Sequence, residues 1–309
     1  MARHRRLGDD PGSGAVSQFL QATVYGLLEG GLLALVAVGF SLVWGVMNIV
    51  NLAHGAFVIT GAYIAWKLNT ELGLDPYLGM LVSAAALFLA GYLVQWLLIN
   101  QVVNAPIWMT LLLTFGLDLL IVQGLQLVFT ADFRAIKTSW GTEGLALGDV
   151  RVPYGRLAGF GLAVAVTVAL VWFMTRTRTG LAIRTTGMDR AAARLMGVNV
   201  RHVYALTFGL SAALAGMAGA ILGSINTFSP PAAGGFTLQS FVIAVLGGLG
   251  NMWGALAGGI LLGLVQAWGG QYLSGTLVNA IAFGVLVLVL IVRPAGLVGR
   301  PYYEARAEA

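Results

Sequence analysis

The chain has 309 residues, of which 58% are hydrophobic and only 9% charged, and its formal net charge is +5. A soluble domain carries about 25% charged residues, so most of this surface must face lipid, and spans of roughly 20 residues each leave no room for a soluble catalytic domain. The few basic residues lie between apolar runs, which is positive-inside topology rather than a nucleic-acid patch, and the lack of cysteine excludes disulfides, thiolate metal sites and cysteine nucleophiles.

Residues 1–18 are polar, with Arg3, Arg5 and Arg6 ahead of Pro11 and Gly14, and read as a disordered cytoplasmic tail. The apolar run after them is longer than the core of a signal peptide. Apolar runs follow at Phe19–Val46, Phe57–Trp66, Tyr77–Ile99, Ile107–Phe129, Leu157–Thr175, Val203–Ile225, Phe236–Leu249, Met252–Trp268 and Thr276–Val292. They predict an all-α fold, a polytopic transmembrane helix bundle of about eight spans over residues 19–292. The run Phe57–Trp66 is too short to span a core of ~30 Å alone.

Charge orients the bundle. Arg176, Arg178, Arg184, Arg190, Arg194 and Arg201 share the loop 176–202 with one acid, Asp189, so this loop is expected in the cytoplasm. Asp132, Glu143 and Asp149 mark the outer side, as do Glu71 and Asp75. The tail 293–309 then falls in the cytoplasm. If both early runs cross, the Arg-rich N-terminus lands outside. A re-entrant segment over Gly45–Trp66 puts it inside, and that reading is preferred, with Asn48, Asn51, His54 and Gly55 as the polar and small residues such a segment uses. The alternative is a polar turn at the membrane interface between two tilted helices.

Glycines four apart, as at Gly26 and Gly30, Gly219 and Gly223, and Gly250, Gly254 and Gly258, signal close helix packing and say little about function. The carboxylates inside apolar runs are Glu29 and Asp118. They are candidates for a translocation path together with Asn48, Asn51 and His54, since an intramembrane carboxylate is either functional or hydrogen-bonded between helices. Two isolated acids are thin support for a proton-coupled carrier. Gly209-Leu210-Ser211-Ala212 resembles a nucleophile motif, but no histidine follows Ser211, and a serine–histidine pair would need His54 or His202. His54 has no second ligand nearby in sequence, so no metal site is expected. There is no P-loop, and the only lysines are Lys67 and Lys137, so any ATP hydrolysis belongs to a separate chain.

In the loop 176–202, Arg184, Met188, Ala191 or Ala192, and Leu195 recur at helical spacing, and Gly197 can end a helix. A helix from about Arg184 to Met196 would lie on the cytoplasmic face and dock in a groove of a soluble partner. A solvated connection is the other reading.

The sequence resembles the LivH-type permeases of branched-chain amino acid ABC importers over roughly Gln21–Tyr303. Gly45–Gly61, GVMNIVNLAHGAFVITG, is similar to that family's Asn-Phe-Ala-His-Gly segment. Thr179–Asn199 is similar to its cytoplasmic coupling loop, and Ala244–Gly263 and Arg293–Pro301 match its final third. The resemblance implies a non-catalytic inner-membrane subunit without cofactor. Its implied partners are a second, LivM-type permease, two ABC ATPase subunits, and a periplasmic or lipid-anchored substrate-binding protein. It implies ATPase coupling through Arg184, Asp189, Arg190, Arg194, Leu195 and Gly197. The implied solutes are branched-chain or related amino acids, with urea, amides or aromatic acids as the alternative. The sequence departs from the family at Ala56, where an acid usually follows His-Gly, at Glu29, where a small or polar residue is usual, and at Gln101–Asn104, where basic residues are common. These departures bear on the solute more than on the architecture.

Overall fold

A computed structural model describes residues 11–138, 143–147, 150–273 and 275–299. In chain order these form α1 (Pro11–Met47), α2 (His54–Leu72), α3 (Pro76–Val102, with a π-helical stretch at Gln95–Ile99) and α4 (Ile107–Phe129). The antiparallel hairpin β1 (Gly144–Leu147) and β2 (Val150–Pro153) follows, with Leu145 opposite Val152. Then come α5 (Tyr154–Arg176), α6 (Arg178–Met188), α7 (Arg190–Leu195), α8 (Val200–Ile225), α9 (Ala233–Gly247), α10 (Met252–Tyr272) and α11 (Gly275–Val292). Among the described residues, seven helices are long and apolar enough to cross a membrane: α1, α3, α4, α5, α8, α9 with the turn before it, and α10. A shorter apolar stretch, Ala280–Val292, lies in α11. The fold is the expected transmembrane helix bundle.

α1 is the central pillar. From Leu28 to Val43 every side chain but Glu29 is buried, as an apolar helix without a polar face requires. It packs on α10, α8, α9 and α5. The tightest crossing is with α10, where a Cβ added to Gly30 would stand 2.6 Å from the Gly259 carbonyl oxygen. Without side chains there, the two backbones gain van der Waals contact that lipid cannot supply.

Contacts at its two ends define the ends of the bundle. Near the start of α1, the Gln21 side chain donates to the Arg151 carbonyl and accepts from the Arg151 N–H, both at 2.8 Å. At its other end, the Met47 carbonyl accepts from Arg190 Nη2 at 3.2 Å. The start of α1 therefore lies at the hairpin end and the loop 176–202 at the opposite, loop end. The N-terminus and this loop were expected on one side, whereas the start of α1 and the loop stand at opposite ends of the bundle. Residues 1–10 of the expected disordered tail lie outside the described residues, and 11–18 begin α1.

The reason lies in Gly45–Trp66. The chain turns back at Asn48, which has φ 54°. Residues 48–53 carry no helix, and α2 starts where His54 Nε2 meets the Val36 carbonyl at 2.9 Å. Val36 stands 11 residues before Met47, or ~16 Å along the helix at 1.5 Å per residue. The segment thus climbs back to half depth but, unlike the re-entrant segment expected, does not return. α2 continues to the hairpin end, where Tyr63 stacks on Phe129 and Arg134 lies over Trp66. A helix that begins at half depth needs no full span, which is why so short an apolar run suffices.

The expected C-terminal tail is fastened over its first residues. Leu297 N–H donates to the Leu246 carbonyl at 2.8 Å, and Val298 N–H to that of Gly247 at 3.1 Å. Residues 300–309 lie outside the described residues.

Candidate functional site

Two interrupted helices meet at half depth. α2 begins at His54 and runs toward the hairpin end. α9 begins at Ala233, beside Gly55, and runs toward the loop end, where Gly247 packs on Gly254. Their N-termini adjoin. Gly55 N–H donates to Thr237 Oγ1 at 2.8 Å, and that hydroxyl donates to the Leu52 carbonyl at 3.0 Å. A Cβ on Gly55 would press on the Ala233 carbonyl and stand 2.7 Å from Thr237 Oγ1, so only glycine fits. Opposed N-termini concentrate positive partial charge in the centre of an apolar bundle.

The residues around this junction are held by the backbone. Asn51 is 1% exposed, and its Oδ1 accepts from Ala53 N–H at 3.1 Å. His54 is fully buried, bonds the Val36 carbonyl through Nε2 and meets Phe40 edge-on. Its Nδ1 has no hydrogen-bond partner. From α4, Thr114 Oγ1 accepts from Leu52 N–H at 3.2 Å and braces the non-helical segment. Asp118 lies one turn further along α4, half-buried, and its Oδ1 has no partner. Asn48 is exposed at the loop end. Glu29 stands apart, near the hairpin end, where it pairs with Arg156 at 2.9 Å while Arg156 lies over the Tyr25 ring. The structure thus brings Asn51 and His54 together, with Asp118 on a neighbouring helix and Asn48 at the start of the same segment. Thr237 had no signal in the sequence, because nothing sets it apart from Gln239 and Ser240 in the same run.

The loop 176–202 differs from the single helix expected over Arg184–Met196. Asp189 has extended backbone, and its Oδ1 accepts from the N–H groups of Ala191 at 2.7 Å and Ala192 at 3.0 Å. Aspartate at that position caps a new helix more favourably than it continues the old one, so α6 and α7 are separate. Gly197 ends α7 with φ 81°, donating to the Arg194 carbonyl, while Val198 N–H donates to Ala193. Met188, Leu195 and Met196 are 85%, 88% and 84% exposed, and Arg184 and Arg194 are exposed among them. Arg190 turns the other way, toward the Met47 carbonyl and the Tyr204 ring, whose centroid is 5.8 Å away.

Among the described residues no cluster of three or more His, Cys, Asp or Glu side chains could hold a metal. The family described as "Branched-chain amino acid transport system / permease component" matches residues 22–291. The chain is 31% identical over 302 residues to the high-affinity branched-chain amino acid transport system permease protein BraD of Pseudomonas aeruginosa, covering 94% of this chain and 98% of that one. It is 28% identical over 310 residues to the LivH permease protein of the corresponding Escherichia coli system, covering 93% and 97%. It is also 28% identical over 286 residues to the LivM permease protein of the same system, covering 85% of this chain and 67% of that protein.

Proposed function

The chain belongs to the family of branched-chain amino acid transport permease components, and from that premise we propose that it imports branched-chain amino acids. It is a multi-pass inner-membrane subunit of an ABC importer and works with another permease and an ATPase. The finer reading has a LivM-type partner, two ATPase subunits, and a binding protein that delivers the solute at the hairpin end.

One observation carries the reading: the tip, meaning the helices of the loop 176–202, exposes Met188, Leu195 and Met196 together with Arg184 and Arg194. Three large apolar side chains in water at one end of a membrane bundle favour a soluble partner. The chain has no P-loop of its own, so that partner supplies ATP hydrolysis. The tip therefore faces the cytoplasm, and the start of α1 faces outward. Motion of the tip reaches Arg190, then Met47, then the non-helical segment leading to the junction of α2 and α9.

A solute route beside that junction suits an amino acid. Half-helix N-termini favour a carboxylate at mid-depth. Asn48, Asn51, His54 and Asp118 border the route in this reading, and Asp189 and Gly197 shape the coupling loop. The test is uptake in vesicles that contain the permease pair, the ATPases and the binding protein. Leucine, isoleucine and valine should be accumulated against a gradient only with ATP inside. Accumulation of urea, short amides or benzoate in place of these three would reject the assigned solute.

A further inference from the structure

We propose that the cavity at the loop end, walled by the end of α1, the α3–α4 connection and Arg190, binds the carboxylate of a small apolar amino acid as it leaves the bundle. This rests on the import reading above.

The cavity has a volume of about 230 Å³, and Arg190 is the only charged residue in its lining. Arg190 is half-buried, and Nη2 is committed to the Met47 carbonyl. Among the described residues no carboxylate pairs with it: the salt bridges join Lys67 to Glu71 and Arg156 to Glu29. Its neighbour Asp189 turns Oδ1 to the start of α7. A guanidinium has five donors in a planar fork that matches a carboxylate. Partly desolvated and without an acidic partner, it favours an anion.

The rest of the lining narrows the class. Asn48 and Asn104 bring carboxamides, which accept from an ammonium as well as donate. Val103 and Ile107 offer an apolar wall for an aliphatic side chain. A zwitterion with a short hydrocarbon chain uses all three kinds of group. The cavity also opens at Asn48, the first residue of the segment that climbs to Leu52 and Gly55.

Arg190 begins α7, whose far end is the exposed Leu195. When α7 shifts with the ATPase, Arg190 leaves the carboxylate and the solute is released. Solute affinity at this site and the state of the ATPase are therefore linked through one side chain.

The test uses the solubilised complex of the permease pair, ATPases and binding protein. Ala105→Cys, in the same lining, supplies a thiol in a chain without cysteine, and its labelling by a soluble maleimide reads occupancy. The probes are leucine, isovalerate and leucinamide. At about four times its Kd, a bound probe slows labelling about fivefold by simple mass action. Leucine and isovalerate should do so, and leucinamide, which lacks the carboxylate, should not. Arg190→Gln should abolish the protection and Arg190→Lys should keep part of it. No protection by either carboxylate, equal protection by leucinamide, or protection that survives Arg190→Gln would overturn the site. If Arg190→Gln fails to assemble, the contrast between leucine and leucinamide in the Arg190 protein still decides. Leucine uptake by the unmodified complex separates the two readings. Uptake without protection rejects the site alone, and isovalerate protection without leucine uptake rejects the amino-acid assignment alone.

Discussion

Gly55 and Thr237, 182 residues apart in the chain, are joined by a hydrogen bond of 2.8 Å at the point where two helices begin. The same hydroxyl donates to the Leu52 carbonyl, so one side chain serves a donor and an acceptor that no helix would otherwise satisfy. Thr237→Val keeps the shape and leaves both backbone groups unmet in an apolar interior. Each such group costs ~1–3 kcal/mol. The thermal midpoint of the purified permease pair should fall, and Thr237→Ser should restore most of it. A Thr237→Val protein as stable as the parent would remove the junction from the list of stabilising contacts.

Glu29 and Arg156 make the ion pair between α1 and α5, with side chains 40% and 20% exposed. Pairs this exposed contribute at most ~1 kcal/mol, because water screens them. Glu29→Gln and Arg156→Gln should each lower stability slightly, and a double-mutant cycle should find a coupling of that size. Uptake should stay near the parent rate. A large loss of uptake in Glu29→Gln at unchanged stability would return Glu29 to the solute path.

The absence of cysteine makes sidedness directly measurable. A cysteine at Gln18, exposed near the start of α1, should react with an impermeant maleimide added outside the cell. A cysteine at Met188 should react only after the membrane is opened. The reverse pattern would invert the proposed orientation, and labelling of both from one side would contradict the continuous crossing of α1.

The class of fold was legible because composition admits few alternatives: nearly every apolar run became a helix within a few residues of its expected bounds. The ends were less legible. Arg3, Arg5 and Arg6 weighted the N-terminus toward the cytoplasm, while the contacts of Gln21 and Met47 with opposite ends of the bundle depend on residues more than 100 positions away. Polar residues at Asn51 and His54 announced irregular backbone, yet could not say whether the segment would return or continue. That depends on Thr237 and Thr114, hydroxyls which in an apolar run look no different from packing residues. Asp189 was visible as an acid in a basic loop, but its role as a helix cap competes with the periodicity that predicted one continuous helix.

The proposed coupling tip gives the sharpest prediction. Leu195 is 88% exposed, and Met196 and Met188 are 84% and 85% exposed, so within this chain nothing but solvent is lost when Leu195 changes, and Leu195→Asp should leave folding and permease pairing intact. On the proposed reading the same side chain enters an ATPase groove in the assembled importer, where a carboxylate without a partner is costly. Binding protein and solute should then no longer stimulate ATP hydrolysis, a loss of tenfold or more if the contact contributes roughly 1.4 kcal/mol or more to coupling. Gly197→Val acts on the backbone instead: at φ 81° a β-branched residue is strained by ~1–2 kcal/mol, enough to tilt α7 without altering its surface. Substrate-stimulated ATPase in reconstituted vesicles measures both, with ATPase co-purification as the control. Leu195→Asp should lose stimulation together with ATPase binding, whereas Gly197→Val should keep the ATPases bound and lose stimulation. Full stimulation in Leu195→Asp would mean that the three exposed side chains contact water alone, and the coupling surface would have to lie elsewhere on the loop end.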